Sequence, residues 1–263
     1  MILDKAAAVL KKDFITAVRH RNGFLMNVVS PAAQLATFYY LSRAIGPQFR
    51  PEGMPYFLFL VVGTGFYGFL LTGIYGLLRN IQEAQQSGTL EVLMTSSTPP
   101  PVLLTLSAVS GFAGAFVQFV IYVGAGSLLF AHAFHAHLLA AMAVLVFSLL
   151  IAAAIGITAV ALQISVQKGS AVLWALGTTS WLMAGTLFPV AALPKSVRIL
   201  SNLLPFTHSL AGMRLAMQGA NSLQLTGEIE ILFLFALALV PMSVVFFSWT
   251  VRRARQLGTL SFY

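Results

Sequence analysis

The sequence has no cysteine, and only 8% of its 263 residues are charged. The first absence excludes a disulfide framework, a thiolate metal site and a cysteine nucleophile. The second excludes an ordinary soluble domain, in which roughly 25% of residues carry charge. Acids are scarcest: Asp4, Asp13, Glu52, Glu83, Glu91, Glu228 and Glu230 are all seven of them, and none falls in the middle of an apolar run. Ion- and proton-coupled carriers use ionisable groups at membrane depth, so this argues against a self-powered carrier. No G-x-x-x-x-G-K-[ST] run occurs either, which excludes a phosphate-cradling loop of that kind. A chain of this composition that pumps must draw its energy from another polypeptide.

What is present is apolar surface. Hydrophobic residues make up 58% of the chain, more than one water-soluble core of this length can hide. The natural solvent is lipid, in which spans of about 20 apolar residues are expected. The net charge of +8 does not point to nucleic acid. The basic residues sit beside apolar runs, where anionic headgroups and the positive-inside rule favour them. No cleavable leader is expected, because the first 21 residues are amphipathic and charged and no small-residue cleavage site ends the first apolar run.

The pattern predicts an all-α membrane protein. Residues 1–22 form an amphipathic helix lying on the membrane surface, and residues 23–263 form a six-span domain. Within the first helix Leu3, Ala7, Leu10, Phe14 and Val18 share a face, while Lys5, Lys12 and Arg19 repeat on another. The spans run about Phe24 to Ile45, Tyr56 to Leu78, Val102 to Phe130, Leu138 to Ile164, Ala171 to Phe188 and Ile229 to Val251. Residues 79–98 are a polar cytoplasmic segment. Residues 189–222 decide the count. Pro194 can start one helix and Pro205 end it, with Thr207 or Ser209 capping the next. Each is about 10 residues, or about 15 Å, too short for a core of about 30 Å. The expected form is a hairpin that dips into the outer leaflet and returns.

Charge tests this topology. Lys5, Lys11, Lys12, Arg19, Arg21, Arg79, Lys168, Arg252, Arg253 and Arg255 fall on one side, which is ten. Arg43, Arg50, Lys195, Arg198 and Arg214 fall on the other, which is five. The bias places both termini in the cytoplasm.

Three groups of residues carry candidate chemistry. His132, His135 and His137 have a spacing that can hold zinc, but no carboxylate is near them in sequence and a solvated loop explains them better; no metal is expected. Ser110, Ser127 and His208 supply the parts of an intramembrane serine protease, yet hydroxyls beside glycine usually pack helices. The third group is the segment from Asn80 to Pro99. It reads as two short helical pieces hinged at Gly88, and in the second Leu90, Leu93 and Met94 share a face. Such a helix can dock in a groove of a cytoplasmic partner and pass movement to the adjoining spans.

The pattern Glu83-x-x-x-x-Gly88-Thr89-Leu90-Glu91-x-Leu93 resembles the cytoplasmic coupling segment of type-2 ABC exporter permeases. Gln85 and Gln86 depart from it, standing where a charged residue is common. A second resemblance lies in Phe188-Pro189, Leu193-Pro194 and Leu204-Pro205-Phe206-Thr207-His208, followed by Arg214, which is similar to that family's outer hairpin. The amphipathic start, six spans and cytoplasmic end follow in the same order. The resemblance implies a permease subunit that moves an amphipathic drug, lipid or lipid-linked glycan outwards, and that is not itself an enzyme. Glu83, Gly88, Thr89, Leu90, Glu91 and Leu93 would contact the ATP-binding subunit, and the helix bearing Lys5, Lys12, Phe14 and Arg19 would brace it. Two permease copies, as a homodimer, would pair with two ATPase copies, which bind the ATP and magnesium; this chain would hold no cofactor. The path would lie near spans one, two and five, with Phe66, Tyr67, Phe69 and Tyr75 as candidate lining, though core packing explains any one of these aromatics as well. Pro189, Pro194, Pro205, His208 and Arg214 would shape the outer hairpin, where Arg214 attracts an anionic headgroup or snorkels to lipid phosphate. The membrane would be a bacterial-type inner membrane. The alternatives are a passive channel or scaffold and, more distantly, an intramembrane protease.

Overall fold

The computed structural model describes residues 21–86, 88, 100–129, 136–166, 169–220 and 222–257. Residues 1–20 of the predicted surface helix, with Lys5, Lys12, Phe14 and Arg19, lie outside these residues, as do Thr89, Leu90, Glu91, Leu93, His132 and His135. Every regular element among the described residues is helical. In chain order they are α1 (Arg21–Ile45), α2 (Tyr56–Gln86), α3 (Pro100–Leu129), α4 (Leu138–Val166), α5 (Gly169–Met183), α6 (Lys195–Asn202), α7 (Pro205–Met217) and α8 (Ser222–Leu257). Single 3-10 turns at Pro51–Gly53 and Val190–Ala192 complete the order.

Among the described residues, four stretches are long and apolar enough to cross a membrane: Tyr56–Glu83, Gly111–Leu128, Leu138–Val166 and Leu225–Ala254. The first is the hub. Of its most apolar 18 residues 72% are buried, against 33%, 33% and 22% for the others, because α2 packs on α3, α4, α7, α1 and α5. Its glycines permit this closeness: α3 presents Phe112 to Gly73, where a Cβ would overlap the ring. The broadest helix contact joins α4 and α8. α4, and α8 from Ile231 to Val251, carry no charged residue, as suits helices packed against one another and against lipid.

Two boundaries differ from the sequence pattern. The second span was expected to end near Leu78, but α2 continues to Gln86. Arg79 Nε donates to Glu83 Oε1 at 2.8 Å across one turn, which supports the polar extension. The fifth span was expected to reach Phe188, yet α5 ends at Met183. At 15 residues it measures about 22 Å. The chain then turns through Gly185, whose φ of +81° lies in the left-handed region.

Candidate functional site

The chain from Gly185 to Ala220 folds into a short turn and two helices, α6 and α7, held by side-chain bonds to the backbone. Arg198 Nη2 donates to the carbonyls of Ala191 and Leu193 and so fastens the turn between Pro189 and Pro194. Ser201 Oγ donates to Met183 O at 2.6 Å, which ties α6 to the end of α5. The second helix starts at Pro205 rather than at Thr207 or Ser209. Proline suits the first helical position because its missing N–H would have no partner there. The Thr207 hydroxyl is released from capping and donates to Ser201 O at 2.7 Å.

Arg214 lies at the centre of this arrangement. It is 1% exposed and does not reach towards headgroups. Its Nη2 donates to Gly185 O at 2.7 Å, Phe59 O at 3.2 Å and Thr186 O at 3.2 Å. The guanidinium lies 3.4 Å from the centre of the Phe59 ring. Its Nη1 lies 3.7 Å from Glu52 Oε2. One planar cation thus joins α7, the start of α2, the turn after α5 and the loop after α1. Burial pushes its pKa down to about 10, against the pull of Glu52, so it stays charged at neutral pH. Gly63 makes the space, since a Cβ there would overlap Nη2. Glu52 adopts φ +53°, a left-handed conformation that costs a non-glycine residue about 1–2 kcal/mol. Burial raises its pKa above the ordinary carboxylate value.

His208 and Glu228 form a second charged contact beside the first. His208 Nδ1 lies 2.8 Å from Glu228 Oε2, and its Nε2 lies 2.9 Å from Asn202 O. Both partners are acceptors, so the doubly protonated imidazolium satisfies the geometry. The bond to Glu228 raises the His208 pKa, burial lowers it, and the Asn202 contact raises it again. A raised histidine pKa stabilises the fold fully below the unfolded value of about 6.5, and the gain is lost as pH rises through the folded value. Wild-type protein should therefore lose thermal stability relative to His208→Gln as pH rises above about 6.5, the ordinary histidine value. Melting curves across that rise test this, and parallel curves for the two proteins would refute it.

At the opposite end of α2, three helices meet. Gln163 is 5% exposed. Its Nε2 donates to Gln85 Oε1 at 3.3 Å, and its Oε1 accepts from Gly169 N–H at 3.1 Å. One amide therefore links the end of α2 through α4 to the first residue of α5. Two residues beyond α2, Gly88 has φ +68° and donates its N–H to Gln85 O at 3.0 Å. This is a helix end closed by a left-handed glycine.

Between these ends a cavity of about 310 Å³ opens between α2 and α5. Its lining includes Thr64, Tyr67, Gly68, Tyr75, Thr178 and Trp181. Tyr67 is held in place by donating to Gly177 O at 2.6 Å.

A family model for ABC-2 type transporters matches residues 5–217. The chain belongs to the ABC-2 type transporter family. It is a multi-pass membrane protein and a transport subunit by family. No curated protein sequence matches it.

In this ABC-2 permease the candidate residues fall into separate groups. Glu83 and Gly88 stand at the end of α2 and just past it. Tyr67 and Tyr75 line the cavity between α2 and α5, whereas Phe66 is fully buried and Phe69 is 3% exposed. Those two rings pack with Phe119, at 5.6 and 5.8 Å between centroids. Pro189 and Pro194 precede the 3-10 turn and α6, and Pro205 opens α7. Sequence reasoning missed Glu52, Gly63, Gln163, Gly169 and Glu228. Glu52 and Glu228 carried a signal in the scarcity of acids. The other three are ordinary residues of apolar helices until their neighbours are known.

Proposed function

We propose that this permease is the membrane half of an ATP-driven exporter for amphipathic substrates, with six crossings and both termini in the cytoplasm. Residues 1–22 would form the surface helix, 23–263 the spanning domain, 79–98 the coupling segment and 189–222 the outer hairpin. Two copies would pair as a homodimer with two ATP-binding subunits in a bacterial-type inner membrane. ATP and magnesium would be held by the partner subunits, and this chain would perform no bond chemistry.

The observation that carries the proposal is the continuity of α2. One helix runs from Tyr56, beside the Arg214 cluster, to Gln86, two residues before Gly88. A push on the coupling segment would thus move a helix that lines the cavity along its length. The Gln85–Gln163–Gly169 contacts would carry the same push to α5, the cavity's other wall. Rigid helices joined this way can convert closure of an ATPase dimer into opening of a seam. The protease alternative is disfavoured by His208, whose two ring nitrogens already face Glu228 and Asn202.

Gly88→Pro tests the coupling step. Proline fixes φ near −65° and has no N–H, so it conflicts with φ +68° and removes the bond to Gln85 O. With the partner ATPase in proteoliposomes, hydrolysis should persist while ATP-dependent transport falls about ten-fold or more, as should transport by Glu91→Ala. Wild-type coupled transport in both variants would remove the docking assignment. Failure of any soluble ATPase to copurify in mild detergent would favour a passive channel.

A further inference from the structure

A second cavity, of about 120 Å³, lies between α1, α2 and α3 and shares Thr64 and Gly68 of α2 with the first. Its polar lining is Gln34 from α1, Thr64 and Thr72 from α2, and Gln118 and Tyr122 from α3; Phe69 and Phe119 add aromatic lining. No acid or base contributes to it. Two amides and three hydroxyls converging among apolar helices are costly, because lipid offers them no hydrogen bonds. The expense is visible in two atoms. Thr64 Oγ1 and Tyr122 Oη are buried and have no hydrogen-bond partner among the described residues. Tyr122 is only 7% exposed, so surrounding solvent does not satisfy it. Its ring rests against Gly65, where a Cβ would come within 2.8 Å of Cδ1.

Buried polar groups without partners call for an explanation, and a bound group supplies one. Amides and hydroxyls both donate and accept. They complement a ligand group that does the same and carries no net charge. A phosphate or an ammonium here would be a buried charge without a counter-charge. We infer that this cavity binds the neutral, hydroxyl-bearing headgroup of an amphiphile. This names a substrate class for the exporter and, for transport though not for binding, rests on that assignment.

The test uses the full chain in phosphatidylcholine nanodiscs and a fluorescent alkyl glucoside as probe. Unlabelled alkyl glucoside should displace the probe, whereas alkylphosphocholine and alkyltrimethylammonium of equal chain length should not. Tyr122→Phe and Gln118→Leu should each weaken binding by about ten-fold, as expected for losing one or two hydrogen bonds to a neutral ligand. Tyr122→Phe keeps the ring, and an unchanged melting temperature will show that it folds. Equal displacement by the charged amphiphiles, or wild-type affinity in both folded variants, would overturn the proposal. So would a disulfide between Gln34→Cys of one copy and Gln118→Cys of a second, since the amides would then be covered by protein. Glucoside binding with no ATPase partner would defeat the exporter assignment alone. A stable ATPase complex without glucoside binding would defeat only this site.

Discussion

Arg214→Ala should destabilise the protein by about 3–5 kcal/mol, the range for breaking a buried charged contact from one side. The carbonyls of Phe59, Gly185 and Thr186 would lose a donor, Glu52 would lose its counter-charge, and a cavity would open over Phe59. Arg214→Lys keeps the charge but not the planar fork, so it should recover only part of the loss. Gly63→Ala should act on the same contact from the other side, because its methyl would overlap Nη2 and lie 2.8 Å from Thr186 O. The pair supplies an internal check. In the double variant the methyl enters space that the guanidinium has left, so the combined loss should be well below the sum. Unfolding in mixed micelles measures all four proteins. A loss under about 1 kcal/mol for Arg214→Ala would show the cluster to be incidental.

The second large effect is expected at the opposite end of the bundle. Gly169→Ala should greatly reduce ATP-dependent transport while the partner's hydrolysis continues. A Cβ at Gly169 would overlap Ala159 O and lie 2.8 Å from Gln163 Cβ. These are atoms of a packed helix and not the tip of a flexible side chain, so α5 itself must move. Gln163→Leu should have a milder effect of the same kind. It leaves Gly169 N–H without its acceptor, at a cost of about 1–3 kcal/mol, and cuts the link to Gln85. Transport and hydrolysis measured together decide between outcomes. Equal falls in both would indicate damage to the whole complex, and no fall in either would show that α4 does not relay movement.

These effects concern residues that one-dimensional patterns describe unequally. Gly88 was conspicuous, since a glycine between two polar helical pieces marks a break whatever surrounds it. Arg214 was conspicuous too, being a lone cation in an apolar stretch, but its surroundings were not. Snorkelling to phosphate and attraction of a headgroup both suit such a residue in sequence. In the fold, carbonyls from segments 28 to 155 residues away receive it instead. Gln85 illustrates the same limit. It stood out as a departure from a charged pattern, and its contact with Gln163, 78 residues on, depends on how α2 and α4 pack.

Composition and periodicity alone determined the all-helical, lipid-embedded class, because apolar runs of that length have no other solvent and lipid demands that their backbone bonds close within each helix. Local sequence also determined the helix starts at Pro194 and Pro205 and the break at Gly88, since backbone geometry is set by a residue and its immediate neighbours. Tertiary structure alone decided which face of α2 meets α1 and α3, which meets α5, and where each cavity opens. It also decided that Arg214 is enclosed and that the Tyr122 hydroxyl has no partner among the described residues. Hydrogen bonds and buried charges act over a few ångströms, and distance in sequence carries no information about which distant atoms come that close.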